Sequence, residues 1–180
     1  MRKVEEKVVY TLAQIEEKLQ EPQHRLIHLC EKGVIRPDFE DASGRGTMRR
    51  FSERNLFEFA VALELRRFDL PVAYIAPIIR ILRAFEAYAA KKIEVFSLPR
   101  SLQEKPAVGL HLIIQDGEKL FFVLKTKGET RYIGGLDLTK TSQASLRSEE
   151  PSTEFTTRLE VDLTRIANVG PPRLERRLAD

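Results

Sequence analysis

Basic and imidazole side chains near the amino terminus are the residues of this sequence best suited to a binding chemistry. The segment from Pro22 to Gly33 is predicted to form a short helix, in which apolar Leu26, Leu29 and Cys30 repeat every three to four residues. Its opposite side carries the hydrogen-bonding residues Gln23, His24, Arg25 and His28. Such side chains can donate hydrogen bonds to base edges or phosphates, so we expect this side to contact nucleic acid.

A loop rich in arginine and glycine follows this helix. The stretch from Ser43 to Arg50 reads SGRGTMRR and contains three arginines and no acidic residue. A helix followed by a basic hairpin is the pair of elements that a winged helix-turn-helix presents to DNA. The alternative interpretation is a solvated helix and an ordinary surface loop.

The composition is that of a folded protein with a local excess of basic residues. The chain has 180 residues, 42% of them apolar, which allows one domain or two small ones. Residues 1–100 hold 18 Lys and Arg against 15 Asp and Glu, whereas the remaining residues hold 12 of each group. The net charge of +3 therefore lies entirely in the half that contains the arginine-rich loop.

Targeting signals are lacking in the sequence. No apolar run approaches the roughly 18 residues of a transmembrane helix, and the first residues lack the apolar core of a signal peptide. The single cysteine excludes an intramolecular disulfide. We therefore expect a cytoplasmic protein with no membrane partner.

Capping signals predict two further helices around the basic segment. Thr11 and Gln14 form the pattern of a capping box for a first helix from about Leu12 to Leu19. Ser52 is expected to cap a third helix. Two short helices joined by a tight turn are typical of a helix-turn-helix.

Four stretches of the chain carry a resemblance to a known family. They read YTLAQIEEKL, CEKGVIRPD, GRGTMRRFSERNL and LELRRFDLPVAYIAPIIRIL. Their order and spacing from Thr11 to about Leu82 resemble the DNA-binding domain of the MerR family of bacterial transcription regulators. The resemblance implies a first helix, a recognition helix, a wing, and a capped third helix followed by a fourth.

The resemblance also implies which residues meet DNA. The expected DNA-binding residues are Gln23, His24, Arg25 and His28 on the recognition helix, and Arg45, Thr47, Arg49 and Arg50 on the wing. Family members commonly carry arginine at the positions of His24 and Ile27, and an aromatic pair at those of His28 and Leu29, so the target sequence is left open. The implied partners are double-stranded DNA, a second copy of the chain and RNA polymerase, with an effector ligand left open.

A long helix is predicted after Pro71. Pro77 is expected to begin it, because proline lacks an amide donor and disfavours helical geometry in the preceding residue. Its apolar positions form a seam of Ile78, Leu82, Phe85, Ala89 and Phe96. In the MerR family a helix at this place pairs antiparallel with its twin, which implies a homodimer. The alternative is a helix packed on its own domain.

The pattern changes from helix to strand after a linker over residues 98–106. Residues 110–115 and 119–124 flank Asp116-Gly117, a pair typical of a tight hairpin turn. Further strands are predicted over 131–138, where Gly134-Gly135 indicates a bulge or a close approach, and over 158–164. We therefore predict an α+β protein. Its parts are a winged helix-turn-helix over residues 1–70, a helical dimerisation segment over 71–98, a small antiparallel β domain over 107–170 and a tail over 171–180.

Catalysis has little support in the sequence. His24, His28 and His111 do not form a metal-ligand set, and Cys30 is expected to be a buried structural thiol. We expect neither enzymatic activity nor a cofactor or metal. The predicted function is a sequence-specific, DNA-binding transcription regulator. The alternatives are an accessory or excisionase-like DNA-binding module and a protein-interaction adaptor with a degenerate winged helix.

Overall fold

A computed structural model describes residues 8–39, 48–105, 107–140 and 145–169. Its helices are α1 (Leu12–Leu19), α2 (Gln23–Glu31), α3 (Glu53–Arg67), α4 (Val72–Ala89), α5 (Arg100–Glu104) and α6 (Leu163–Val169). Its strands are β1 (Gly109–Gln115), β2 (Lys119–Thr126), β3 (Glu129–Asp137), β4 (Arg147–Ser148) and β5 (Arg158–Asp162). These strands form an antiparallel sheet in the order β4-β3-β2-β1-β5, and the α+β class is confirmed.

The first helix begins where its capping residues predicted. The hydroxyl of Thr11 accepts a hydrogen bond from the backbone N–H of Gln14, whose side-chain oxygen accepts the N–H of Thr11 at 2.8 Å. Immediately before the helix, Tyr10 pairs with Phe51 through two backbone hydrogen bonds of 2.8 and 3.0 Å. The arginine-rich stretch therefore ends beside the start of α1.

Glycine ends the second helix as predicted. Gly33 has a φ of +67°, and its N–H donates to the carbonyl of Cys30 at 2.9 Å. The N–H of Val34 donates to the carbonyl of Leu29, also at 2.9 Å. Glycine adopts this left-handed conformation without the strain that a side chain would introduce, so it both stops α2 and satisfies two of its terminal carbonyls.

The long helix begins earlier than predicted. Pro71 precedes it in an extended conformation, and the carbonyl of Pro71 accepts the N–H groups of Tyr74 and Ile75 at 2.9 and 3.1 Å. The prediction that Pro77 begins this helix was therefore wrong, since Pro77 lies inside it. Its missing donor removes a single intrahelical hydrogen bond, a loss that the buried apolar face of α4 can offset.

The predicted dimer seam is buried within the chain. Its residues are all at most 5% exposed, namely Ile78, Leu82, Phe85, Ala89 and Phe96. The ring of Phe85 stacks on Phe122 of β2 with centroids 4.3 Å apart, and Phe96, beyond the end of α4, meets Phe85 edge-on at 6.1 Å. The assignment of these residues to a contact with a second copy is corrected, because all five are buried in the core cluster that the helices share with the sheet.

One cluster of buried apolar side chains joins the helices to the sheet. It extends from Ile15 of α1 to Ile166 of α6. The segment predicted as a linker contains α5, with Ser101 and Leu102 buried, and α6 follows β5 directly. Neither α5 nor α6 nor the short β4 was predicted. The helical and β parts of the chain therefore share a core.

The predicted hairpin turn is confirmed. Asp116 and Gly117 have φ values of +51° and +68°, as a tight turn between two antiparallel strands requires. The hydroxyl of Tyr74 donates a hydrogen bond to the carbonyl of Gly117, which ties the start of α4 to this turn. The close approach predicted at Gly134 is also present, since an added Cβ would lie 2.5 Å from the ring of Phe121.

The chain between β4 and β5 crosses from one edge of the sheet to the other. Gln115 of β1, only 1% exposed, anchors this crossing by donating to the carbonyl of Ser152 at 2.8 Å and accepting its N–H at 3.0 Å.

Within the described ranges, no helix is both long and apolar enough to cross a membrane.

Candidate nucleic-acid interface

The polar face of α2 projects away from the core. Its residues Gln23, His24, Arg25 and His28 are all exposed. Leu26 and Leu29, on the other side of the helix, are 0% and 3% exposed. Packing of these two leucines therefore fixes the rotation of α2 about its axis and points the four polar side chains outward, as the sequence predicted.

Two side chains of this polar face are engaged with acids of neighbouring elements. Arg25 forms an ion pair with Glu21 at 3.0 Å, and the amide of Gln23 donates to Glu16 at 2.8 Å. Exposed pairs of this kind contribute about 0–1 kcal/mol, so an incoming phosphate or base can replace the acid. The ion pair with Glu21 therefore orients the Arg25 side chain but is weak enough to be exchanged for another acceptor.

A cleft of about 550 Å³ lies between α2 and the end of α3. His24, Arg25 and His28 line its α2 side. Arg66 and Arg67 of α3 line the other side, so the fold brings five basic or imidazole groups to one cleft. Glu21 and Asp69 also line it and partly offset this charge.

The arginines at the end of α3 were missed in the sequence analysis. Arg66 donates to the carbonyl of Leu70 at 2.7 Å, and Arg67 pairs with Glu64 at 3.1 Å. Basic residues in a last helical turn are commonly explained by the helix dipole, so their position in the sequence did not indicate that they also line this cleft. Their distance of about forty positions from α2 in the chain gives no sign that they share its cleft.

The basic loop, defined as residues 39–51, is described only at its ends. Met48 is 65% exposed, Arg49 is half-buried and Arg50 is exposed. The predicted contacts Arg45 and Thr47 lie outside the described residues. Phe51 is fully buried and packs edge-on against Phe59 with ring centroids 5.4 Å apart, which anchors the carboxyl end of the loop.

A buried polar network lies at the base of the loop. Asn55 and Glu58 of α3 are 0% and 1% exposed, and the amide of Asn55 donates to Glu58 at 3.0 Å. Arg83 of α4 donates two hydrogen bonds of 2.5 and 2.6 Å to the carboxylate of Glu58. Arg83 also pairs with Asp38 at 3.2 Å. The network therefore joins α3, α4 and the residues that lead into the loop.

Burial governs the charge state of this network. It raises the pKa of Glu58, and the hydrogen bonds from Arg83 and Asn55 oppose this effect. Hydrogen bonding to Glu58 raises the pKa of Arg83 in turn. The guanidinium therefore remains charged and compensates the buried carboxylate.

The histidines and the cysteine of the described residues are divided between α2 and β1. No group of three His, Cys, Asp or Glu residues is placed there to hold a metal ion. His111 lies on β1 beside Glu160 of β5, at 3.1 Å, rather than with the histidines of α2. Cys30 is half-buried against the core, so the burial predicted for its thiol is reached only in part.

Comparisons with protein-family models, with curated proteins and with solved structures gave no match. The candidate interface is therefore defined by the geometry of the described residues. Its elements are the exposed polar face of α2, the cleft that this face shares with Arg66 and Arg67, and the basic loop held by the buried network.

Proposed function

We propose that the chain is a sequence-specific transcription regulator of the MerR type that binds double-stranded DNA through a winged helix-turn-helix. In this assignment α1 and α2 form the helix-turn-helix, and the basic loop is the wing. The observation that carries the proposal is the outward-facing set His24, Arg25 and His28 in one cleft with Arg66 and Arg67. The proposal assigns no catalytic step to the chain.

The polar face of α2 would read bases. An α-helix such as α2 is about 10–12 Å across with its side chains, so it fits the major groove, which is roughly 12 Å wide. Arg25 and His28 are three positions apart and therefore lie on one side of the helix. Arginine is the commonest partner of guanine in the major groove, so Arg25 is the residue proposed to select a base.

The arginines around this face would bind phosphates. Arg49 and Arg50 come from the basic loop, and Arg66 comes from the end of α3 on the far side of the cleft. Such phosphate contacts would fix the orientation of α2 in the groove without selecting a sequence. Each neutralised phosphate adds about 0.9 to the slope of binding against salt on a logarithmic scale.

A homodimer remains part of the proposal, but its surface differs from the predicted seam. Two linked copies would bind adjacent half-sites at high effective concentration and gain affinity without any new contact to DNA. Because the seam residues are buried, a second copy would contact exposed parts of the chain. Light scattering at micromolar concentration tests this, and a monomeric mass would remove the dimer from the proposal.

Titration of a labelled 30-base-pair duplex of random sequence tests the DNA-binding proposal. Fluorescence anisotropy measured at several salt concentrations should show binding whose affinity falls steeply with salt, since non-specific binding is electrostatic. A complete lack of binding at low salt would contradict the proposal. It would favour a protein-interaction adaptor with a degenerate winged helix.

A further inference from the structure

We infer that Asn55, Glu58 and Arg83 form a clasp that holds both ends of the basic loop and thereby positions Arg49 and Arg50 relative to α2. These three residues are positioning residues, which act on DNA only through the loop. The consequence for DNA binding rests on the proposed function. The holding of the loop ends does not, and it can be measured separately.

Asn55 joins the two ends of the loop through one buried amide. Its oxygen accepts the backbone N–H of Asp38 at 2.9 Å, before the loop, and the N–H of Ser52 at 3.2 Å, after it. Its nitrogen donates to the carbonyl of Arg36 at 3.0 Å. The Ser52 side chain adds a direct bridge between the two ends by donating to the carboxylate of Asp38 at 2.5 Å.

Arg83 extends the clasp to α4. Besides its two bonds to Glu58, its guanidinium donates to the carbonyl of Arg36 at 3.1 Å and pairs with Asp38. The carbonyl of Arg36 thus receives donors from α3 and from α4, which fixes the backbone of the chain just before the loop. The planar fork of arginine suits this multiple contact, whereas lysine offers a single point charge.

The burial of Asn55 and Glu58 distinguishes the clasp from an ordinary surface ion pair. Removing a carboxylate such as Glu58, 1% exposed, from water is costly, and a buried ion pair is weak evidence for a role in stability alone. A set of bonds with fixed geometry between two helices and two loop ends instead specifies one arrangement of the two ends. The geometry therefore points to positioning as the role of the network.

Gln115 provides a matched control for Asn55. Both are buried amides whose oxygen and nitrogen bond to backbone groups of an adjoining segment, and Gln115 holds the crossing near Ser152 on the sheet. The variants Asn55→Ala and Gln115→Ala therefore remove the same chemistry from different segments. A general loss of stability would affect both variants alike, whereas loss of loop positioning is specific to the first.

Hydrogen exchange measured by mass spectrometry tests the clasp without DNA. In Asn55→Ala, the amides of Asp38 and Ser52 should exchange roughly tenfold faster than in the unaltered protein, because both lose the side-chain oxygen that accepts their hydrogen bonds. In Gln115→Ala those amides should be unchanged and the region around Ser152 should exchange faster. Unchanged exchange at the loop ends in Asn55→Ala would overturn the inference.

Binding to the random-sequence duplex tests the consequence for the arginines. Asn55→Ala should lower the slope of binding affinity against salt concentration by the amount that about one to two phosphate contacts contribute. Gln115→Ala should retain the full slope. Faster exchange with an unaltered slope would show that the clasp does not position the arginines, and this part of the inference would fall. If the unaltered protein bound no DNA, the proposed function would fail and the exchange result would still decide the clasp.

Arg83→Lys is the second variant if Asn55→Ala does not fold. It keeps the charge beside Glu58 but cannot reach the carboxylate, Asp38 and the carbonyl of Arg36 together. Faster exchange at residues 36–38 with normal exchange on the sheet would support the inference. Exchange equal to that of the unaltered protein at both places would overturn it.

Discussion

The ring of Phe85 on α4 stacks on the ring of Phe122 in β2, with centroids 4.3 Å apart and planes inclined by 25°. Both side chains are fully buried. This contact joins the fourth helix to the centre of the sheet, so the apolar stripe of α4 is satisfied within one chain. The helix that carries Arg83 is thereby held by the β part of the molecule.

Phe85→Ala should destabilise the protein by about 3–5 kcal/mol, because it removes a buried aromatic ring and leaves a cavity between α4 and the sheet. Phe68→Ala is the matched control, since Phe68 is 50% exposed and its removal should change stability by at most about 0.5 kcal/mol. Denaturant unfolding of both variants measures the difference. Equal, small losses would show that the α4–sheet contact is not part of the core.

Arg25→Ala should relax the preference for one base pair and cost about 1–3 kcal/mol of binding at that position. The reason is that Arg25 projects from the polar face of α2 and its pairing with Glu21 is readily exchanged. The measurement is affinity for a selected duplex and for its single-base variants. A uniform loss across all sequences would move Arg25 to the phosphate contacts.

Replacing Arg49 and Arg50 together by alanine should weaken binding to every duplex. It should also lower the slope of binding affinity against salt concentration by the contribution of about two phosphate contacts. Lys125→Ala combined with Lys127→Ala is the control, because it removes the same charge from exposed positions around the β2–β3 turn. Anisotropy titrations at several salt concentrations compare the affinity and the salt dependence of the two double variants. If both double variants lost affinity equally, only the net charge of the chain would matter.

Arg83→Met should strengthen the dependence of stability on pH through Glu58. Burial already raises the pKa of Glu58 above its ordinary value of 4.5, and loss of the arginine removes the main opposing hydrogen bonds. A carboxyl whose pKa is raised in the folded state stabilises the fold fully below 4.5, and this contribution is lost as pH rises through the folded pKa.

The measurement for this prediction is the free energy of unfolding between pH 4.5 and 8. A matched variant without the Glu58 carboxyl gives the contribution of all other titrating groups, which is subtracted. In Arg83→Met it should decline as the pH rises. The combination of Arg83→Met with Glu58→Gln should show no such decline, since it lacks the titrating carboxyl. Identical pH profiles of the two proteins would show that Glu58 does not titrate in this range.

Local chemistry explains which parts of the fold were predictable. The start of α1 follows from Thr11 and Gln14, and the hairpin turn follows from Asp116 and Gly117, because both signals act within four residues. The exposed polar face of α2 was also predictable, since Leu26 and Leu29 define the buried side. These features need no knowledge of distant residues.

The errors came from contacts between residues far apart in the chain. Apolar periodicity identified the stripe on α4 but could not reveal that Phe122, rather than a second copy, covers Phe85. Arg66 was not predicted as a site residue, because it comes to line the same cleft as α2 only in the folded chain. The role of Asn55 was equally hidden, since it was visible in the sequence only as a residue after the Ser52 cap.

Selection of bound sequences from a pool of random duplexes tests the central proposal most directly. Repeated rounds of selection should enrich one motif, and the Arg25→Ala protein should lose selectivity at one position of that motif. Two copies of the motif in inverted orientation would in addition report the dimer. Failure to enrich any sequence, from protein shown by circular dichroism to be folded, would contradict the assignment of this chain as a sequence-specific DNA-binding regulator.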